Sequence, residues 1–141
     1  MGALLSIGRV AEISGVTRET IRYYERLGLL PKPARTAAGY RQYSGPIVNR
    51  LSLIRNAQRF GFSLTQIAGF LRVREAGGAP CRDVRAAAER MLDAMNGQIA
   101  ELLTTRRRMR LTLREWTRTL EQTPSGQQAR LLESLPGPRQ K

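Results

Sequence analysis

Short apolar stripes separated by turn residues fill the first 74 positions and predict four short helices with a hairpin among them. The first helix is expected over about Ser6–Ser14 and the second over about Arg18–Arg26, with Ser6 and Thr17 as their N-caps and a glycine turn between the helices. Residues 31–43 hold two prolines and a Thr-Ala-Ala-Gly turn followed by Tyr-Arg-Gln-Tyr, which is typical of a hairpin wing. Two more helices are expected within 44–74, the second opened by a capping box at 63–66. Together these elements predict a winged helix-turn-helix.

A longer pattern runs from Cys81 to about Gln122, with Gly97 as its one glycine and no proline. Its apolar positions recur every three or four residues, which predicts one helix about 60 Å long with a single apolar seam. The seam passes through Val84, Ala88, Met91, Met95, Ile99, Leu102, Arg106, Met109, Leu113, Trp116 and Leu120. A monomer has no other element long enough to cover this seam, so the sequence predicts a homodimer joined by a two-helix coil. The alternative is that the helix packs on its own N-terminal domain.

The predicted fold is therefore mainly α-helical and has four parts. Residues 1–74 form the winged helix-turn-helix, 75–80 a hinge, 81–123 the coiled-coil dimerisation helix, and 124–141 a C-terminal loop or tail. The hinge is expected because the stretch Glu-Ala-Gly-Gly-Ala-Pro cannot be crossed by an unbroken helix. A short helix around Gln128–Leu135 is expected in the tail, which is also a possible effector-proximal segment.

The charge of the chain indicates a polyanionic partner. The chain has 24 Lys and Arg against 11 Asp and Glu, a net charge of +13. Up to position 74 there are 12 basic and 3 acidic residues, a net +9, and from position 75 there are 12 and 8, a net +4. The excess lies on the helix-turn-helix segment, so double-stranded DNA is the predicted partner.

Several function classes are excluded. The chain has no histidine, so a His-dependent catalytic triad or HExxH zinc site is absent, and no phosphate-binding glycine loop occurs. We therefore predict that the protein is not an enzyme and needs no cofactor. No apolar run approaches the roughly 20 residues of a membrane span. One cysteine excludes an intrachain disulfide, and a cytoplasmic location is expected.

Arginine and tyrosine residues of the second helix and the wing are the predicted DNA contacts. A recognition helix reads bases from its N-terminal end, so Arg22 is expected to contact a base and Arg18 a base or phosphate. Tyr23, and Tyr40 and Arg41 on the wing, are expected at phosphates. The alternative is that the arginines form a solvated face. The predicted DNA-binding set is Thr17, Arg18, Arg22, Tyr23, Tyr40, Arg41 and Arg59. The opposite face of the second helix is expected to pack inward through Ile21, Tyr24 and Leu27.

The strings IRYYERLGLLPKP, GYRQYS and RNAQRFGFSLTQIAGFLRV resemble the MerR family of bacterial transcription regulators. The resemblance implies an antiparallel coiled coil joining two protomers. It also implies binding to a near-palindrome in an over-long promoter spacer, where the dimer and RNA polymerase meet. Effector binding is then expected to bend and untwist the DNA until both promoter elements align.

The resemblance also implies a thiolate metal site in the metal-sensing members, and this chain departs from it. Cys81 matches a cysteine at the start of the dimerisation helix. No cysteine or histidine follows between Thr104 and Lys141, where Trp116 and Ala129 lie close to the other expected ligand positions. A soft metal needs two or three thiolates, and the two Cys81 thiolates of an antiparallel dimer are expected at opposite ends of the coil, so no metal site is predicted.

Cys81 and Trp116 remain effector candidates with two interpretations each. The Cys81 thiolate, at a helix N-terminus, could sense an oxidant or electrophile, or Cys81 could be a small residue under the hinge. Trp116 could line an aromatic ligand pocket with Met109 and Leu113, or could be core. The effector thus stays unidentified. Two rival functions are an effector-independent repressor or architectural DNA-binding protein, and a coiled-coil interaction adaptor.

Overall fold

The computed structural model describes residues 3–138, and in that range the chain is mainly helical with one small antiparallel hairpin. In the hairpin, Ala34 pairs with Gln42 and Arg35 pairs with Arg41. The fold class predicted from the sequence is confirmed. The elements are α1 (Ile7–Ser14), α2 (Arg18–Arg26), β1 (Ala34–Arg35), β2 (Arg41–Gln42), α3 (Ile47–Phe60), α4 (Leu64–Glu75), α5 (Cys81–Glu121) and a 3-10 turn (Leu132–Ser134).

Side-chain caps fix the helix starts at the predicted residues. Ser6 accepts a hydrogen bond from the Arg9 backbone N–H at 3.2 Å, and Thr17 accepts one from the Thr20 N–H at 3.2 Å. The predicted capping box at 63–66 is present, with hydrogen bonds of 2.9 and 3.1 Å. Gly15, with φ of 71°, supplies the left-handed turn between α1 and α2.

Apolar side chains from α1, α2, α3 and α4 form one core. Its fully buried members include Val10, Ile21, Leu29, Leu51 and Ile54. The expected inward face of α2 is correct for Ile21 and Tyr24 but wrong for Leu27, which is 42% exposed. Steps of three residues turn a helix by about 300°, so each step drifts about 60° and Leu27 leaves the buried face.

The chain divides into two compact units, Met1–Met91 and Leu92–Lys141. The first turns of α5 belong to the first unit, where Ala87 is 3% exposed. In the second unit the tail packs on α5 through Trp116, whose indole N–H donates to the Ser134 hydroxyl at 3.0 Å. The helix expected around Gln128–Leu135 is reduced to the single 3-10 turn Leu132–Ser134.

The apolar seam of α5 is exposed in the single chain. Leu102 is 69% exposed, Met109 61%, and Ile99 48%. Exposed apolar patches of this extent are typical of interaction surfaces. No helix among residues 3–138 is long and apolar enough to cross a membrane.

Candidate nucleic-acid interface

Helix α2 is held with its basic face outward. Ile21 and Tyr24 are buried beneath it, and the Tyr24 hydroxyl donates to Gln58 Oε1 of α3 at 2.8 Å, which fixes the rotation of α2. Arg55 Nη1 donates to the Ser14 carbonyl at 3.3 Å and so satisfies the C-terminal end of α1. The helix-turn-helix is thereby tied to α3 from both of its helices.

Arg18 rests across α1 at the start of α2. A Cβ built on Gly8 would lie 2.7 Å from Arg18 Nη2, so the guanidinium passes directly over that glycine. An open groove runs between α1 and the start of α2, and Thr17 and Arg18 both line it. Arg9 on the α1 side of this groove is paired with Glu12 at 2.9 Å, so Arg18 supplies the net positive charge of the groove.

Arg22 and Tyr23 follow on the outer side of α2. Arg22 is exposed and, among residues 3–138, makes no side-chain hydrogen bond or ion pair. Its five N–H donors are available for the bidentate geometry that recognises guanine or phosphate. Tyr23 is 44% exposed, and the Arg26 guanidinium lies 5.7 Å from its ring centroid, within cation–π distance.

The wing carries Tyr40 at its tip. Tyr40 is 74% exposed, and Gly39, with φ of 86°, makes the turn that presents it. Arg35 Nη1 donates to the Gly39 carbonyl at 2.8 Å and braces the turn from the opposite strand. The Tyr40 phenol is therefore exposed at the tip of the hairpin, and its contact with a DNA phosphate stays a prediction.

Glu25 joins the wing to α2, and sequence reasoning missed it. Its Oε2 atom accepts hydrogen bonds from Arg41 Nε and from the Tyr43 hydroxyl, each at 3.2 Å. Arg41 and Tyr43 lie 16 and 18 residues after Glu25 in the chain, so no local sequence pattern indicates the contact. Helix α2 carries two carboxylates among its arginines, Glu19 and Glu25, and the sequence alone does not distinguish the one that reaches the wing. Tyr43 also pairs with Leu5 through backbone hydrogen bonds of 2.7 and 2.8 Å.

Two tyrosines in this region have a raised pKa. Burial and the neighbouring Glu25 carboxylate raise the pKa of Tyr43 to about 12. Burial also raises the pKa of Tyr24, and the Arg55 guanidinium opposes that shift. Both phenols stay protonated at neutral pH and can donate the hydrogen bonds described here.

Arg59 stands apart from the other predicted contacts. It is exposed in the last turn of α3 and, within the described part of the chain, makes no side-chain hydrogen bond or ion pair. Its role at DNA stays a prediction, as do those of the α2 and wing residues. Arg50, by contrast, donates to the Leu29 carbonyl at 2.6 Å and pairs with Glu75, so its charge serves the fold.

The two effector candidates lie in different units. Cys81 is exposed at the start of α5 in the first unit, and Trp116 lies in the second. Residues 3–138 contain no group of three His, Cys, Asp or Glu side chains that could hold a metal ion. Trp116 lines a cavity of about 490 Å³ beneath the tail, together with Thr105, Arg108, Met109, Thr112, Leu113, Leu135 and Pro136.

Two overlapping family models together match residues 5–123 of this chain. The model described as "MerR HTH family regulatory protein" matches residues 5–73, and the model described as "MerR, DNA binding" matches residues 48–123. The chain belongs to the MerR family. It is a DNA-binding transcriptional regulator, and the family and its relatives are regulators of transcription, not enzymes.

Curated relatives agree with this assignment. A ZntR homolog of Haemophilus influenzae, an HTH-type transcriptional regulator, is 33% identical over 120 residues, covering 85% of this chain and 88% of that protein. The mercuric resistance operon regulatory protein of Bacillus cereus is 51% identical over 78 residues, covering 55% of this chain. The match spans 59% of the Bacillus protein's length.

Solved structures share the fold. PbrR691 from Ralstonia metallidurans CH34, solved in complex with lead(II), is 26% identical with a TM-score of 0.62, covering 92% of this chain and 98% of that one. The N-terminal part of MtaN, the Bacillus subtilis multidrug transporter activator, is 30% identical with a TM-score of 0.63, covering 76% and 98%. Both likenesses extend well beyond the helix-turn-helix.

Proposed function

We propose that this MerR-family regulator is a homodimer that controls a promoter by bending and untwisting its spacer DNA in response to an effector. The observation that carries the proposal is the exposed apolar seam of α5 on a chain whose N-terminal unit carries a basic DNA-binding surface. RNA polymerase is the partner at the promoter. DNA binding and transcriptional regulation rest on the family; the dimer, the distortion and the effector are the proposed part.

Dimerisation is supported by the length and exposure of the seam. Exposed apolar side chains recur along α5 from Leu92 to Leu120, in contrast to the well-covered core of the first unit. A second copy of α5 presents a seam of the same length and spacing, so pairing two copies covers both. A dimer also supplies the two recognition helices that a near-palindromic site requires.

The proposed DNA contacts follow from exposure and position. Arg22, at the middle of α2 and without a side-chain partner among residues 3–138, reads a base edge. Arg18 contacts a base or phosphate beside the N-terminal end of α2. The remaining proposed backbone contacts are Thr17, Tyr23, Tyr40, Arg41 and Arg59. Phosphate contacts position the protein, and the energy of deforming the spacer adds specificity at bases that no side chain touches.

The proposed effector is not a soft metal held by three thiolates. The chain has one cysteine and no histidine, and a soft metal is held by two or three thiolates. The proposed antiparallel dimer has two Cys81 thiolates, but they lie at opposite ends of its coil and cannot share one metal ion. The similarity to the ZntR homolog, PbrR691 and the mercury-resistance regulators supports the fold and the DNA-binding unit, and it does not identify the effector. Cys81 and Trp116 remain the residues at which an effector is to be sought.

A footprint on the chain's own upstream region and neighbouring promoters tests the proposal. Purified protein should protect a near-palindrome inside an over-long promoter spacer, with hypersensitive cleavage at its centre where the DNA is unstacked. Protection without central hypersensitivity would support an effector-independent repressor instead. Salt-sensitive coating with no preferred sequence would support the architectural interpretation, and no binding would support an adaptor.

A further inference from the structure

One carboxylate connects the two DNA-facing elements of the first unit. Glu25 Oε2 on α2 accepts from Arg41 Nε and from the Tyr43 hydroxyl on the wing side, each at 3.2 Å. The side chain of Glu25 is 15% exposed and that of Arg41 is 28% exposed. The contact is therefore partly shielded from water, where a charge-assisted hydrogen bond is stronger than at the open surface.

The hydrogen bond uses one edge of the Arg41 guanidinium. Arginine carries five N–H donors in a rigid planar fork, and Glu25 takes the one on Nε. Among residues 3–138, neither Nη atom of Arg41 makes a hydrogen bond. The terminal nitrogens, which are the pair suited to a phosphate, are left unpartnered while the plane of the guanidinium is held.

Tyr43 completes the arrangement by anchoring the strand. Tyr43 is 2% exposed, and its hydroxyl donates to the same Glu25 oxygen. Its backbone N–H and C=O both form hydrogen bonds with the backbone of Leu5. Because Tyr43 follows β2 directly, the strand that carries Arg41 is fixed at one end. The wing therefore has little freedom to move away from α2.

We propose that Glu25 is a positioning residue for DNA binding: it holds Arg41, and through Tyr43 the wing, so that the Arg41 fork meets a backbone phosphate already oriented. This inference rests on the proposed function, in which Arg41 contacts DNA. A side chain that is oriented before binding loses less conformational entropy on binding, and the affinity rises accordingly.

Glu25→Gln should change the affinity for DNA in the direction opposite to that expected from charge alone. Removing a negative charge from a DNA-binding surface reduces its repulsion of phosphates and should strengthen binding. Glu25→Gln also replaces the charge-assisted hydrogen bond to Arg41 by a weaker neutral one, and we expect this loss to dominate. Glu19 is the matched control, since it lies on the same helix, is exposed, and makes no side-chain hydrogen bond or ion pair within residues 3–138.

The experiment measures the affinity of the full-length protein for its protected promoter fragment at a series of salt concentrations, with thermal unfolding as the folding control. Glu25→Gln should weaken binding about threefold to tenfold, while Glu19→Gln leaves it equal or stronger. Arg41→Gln should also weaken binding and lower the salt slope by about 0.9 for each protomer. In the Arg41→Gln background, Glu25→Gln should no longer weaken binding.

Three results would overturn the proposal in different places. Glu25→Gln binding as tightly as wild type, or more tightly, would refute positioning. Weakening that persists in the Arg41→Gln background would mean that Glu25 supports the fold and not Arg41. An unchanged affinity and salt slope for Arg41→Gln would remove the phosphate contact itself. In all three cases the wild-type footprint stays intact, so the proposed function is judged separately.

Discussion

Replacing Leu102 by glutamate should dissociate the proposed homodimer while leaving the DNA-binding unit folded. Leu102 lies on the apolar seam near the middle of α5, outside the compact unit Met1–Met91, and 69% of the residue is exposed in the single chain. In an antiparallel pair of full-length α5 helices, residues near the middle of one helix lie close to the same residues of the other. Two glutamates would then face each other across the seam.

The exposure sets the magnitude. Burying a whole leucine side chain contributes about 1.5–3 kcal/mol, so covering the exposed part of Leu102 contributes about 1–2 kcal/mol per chain and about 2–4 kcal/mol per dimer. Losing this term weakens dimerisation about 30-fold to 1,000-fold. Desolvation of the glutamates and their mutual repulsion add to the loss.

Sedimentation equilibrium over a range of protein concentrations measures the dimer dissociation constant, and circular dichroism checks helix content. The control is Leu111→Glu. Leu111 is nine residues further along α5, about 180° around the helix from Leu102, and is 51% exposed. It should leave the dimer intact. Equal weakening by both variants, or none by Leu102→Glu, would refute the assignment of the seam as the dimer interface.

Three further predictions concern the DNA-binding unit. Arg22→Ala should weaken the free energy of binding to the cognate site by about 1–3 kcal/mol and relax selectivity at one base pair. Competition with single-base variants of the site measures both effects. Arg22→Lys should restore nonspecific affinity but not cognate affinity. The raised pKa of Tyr43 means that its stabilising effect is complete below about pH 10 and is lost between pH 10 and 12. The free energy of unfolding measured in urea should therefore fall by about 2–3 kcal/mol between pH 10 and 12. Tyr43→Phe should flatten this decline. An equally steep decline in the variant would show that ionisation of Tyr43 is not its cause. Gly61→Ala, at φ of 126° and with the new Cβ 2.9 Å from Met91 Cε, should lower the free energy of unfolding by about 1–3 kcal/mol. Gly69→Ala inside α4, with no atom within 4 Å of the new Cβ, should not lower it, and equal effects of the two variants would exclude both the backbone strain and the Met91 contact.

Helix starts and turns could be predicted from the sequence because their causes are local. Ser6, Thr17 and Ser63 cap helices through backbone N–H groups three residues away, and each predicted cap is present. Gly15 and Gly61 turn the chain through φ values that other residues avoid. Such short-range chemistry is readable without knowing what packs against it.

Contacts that join distant segments could not be predicted. Glu25 meets Arg41 and Tyr43 only because the wing folds back on α2, and nothing near Glu25 in the chain reports this. Trp116 is held by Ser134, 18 residues away, in a tail that was expected to be more helical. The prediction that Leu27 packs inward is wrong because residues spaced by three drift around the helix, so that Leu27, the last of Ile21, Tyr24 and Leu27, faces solvent.

A dimer joined through the α5 seam should distort promoter DNA. Fluorescence energy transfer between dyes at the two ends of the protected fragment measures this directly. Wild-type protein should bring the ends closer on binding, and Leu102→Glu should leave them at the distance of free DNA. Saturating, sequence-selective binding by the wild-type protein with no change in end-to-end distance would contradict the account.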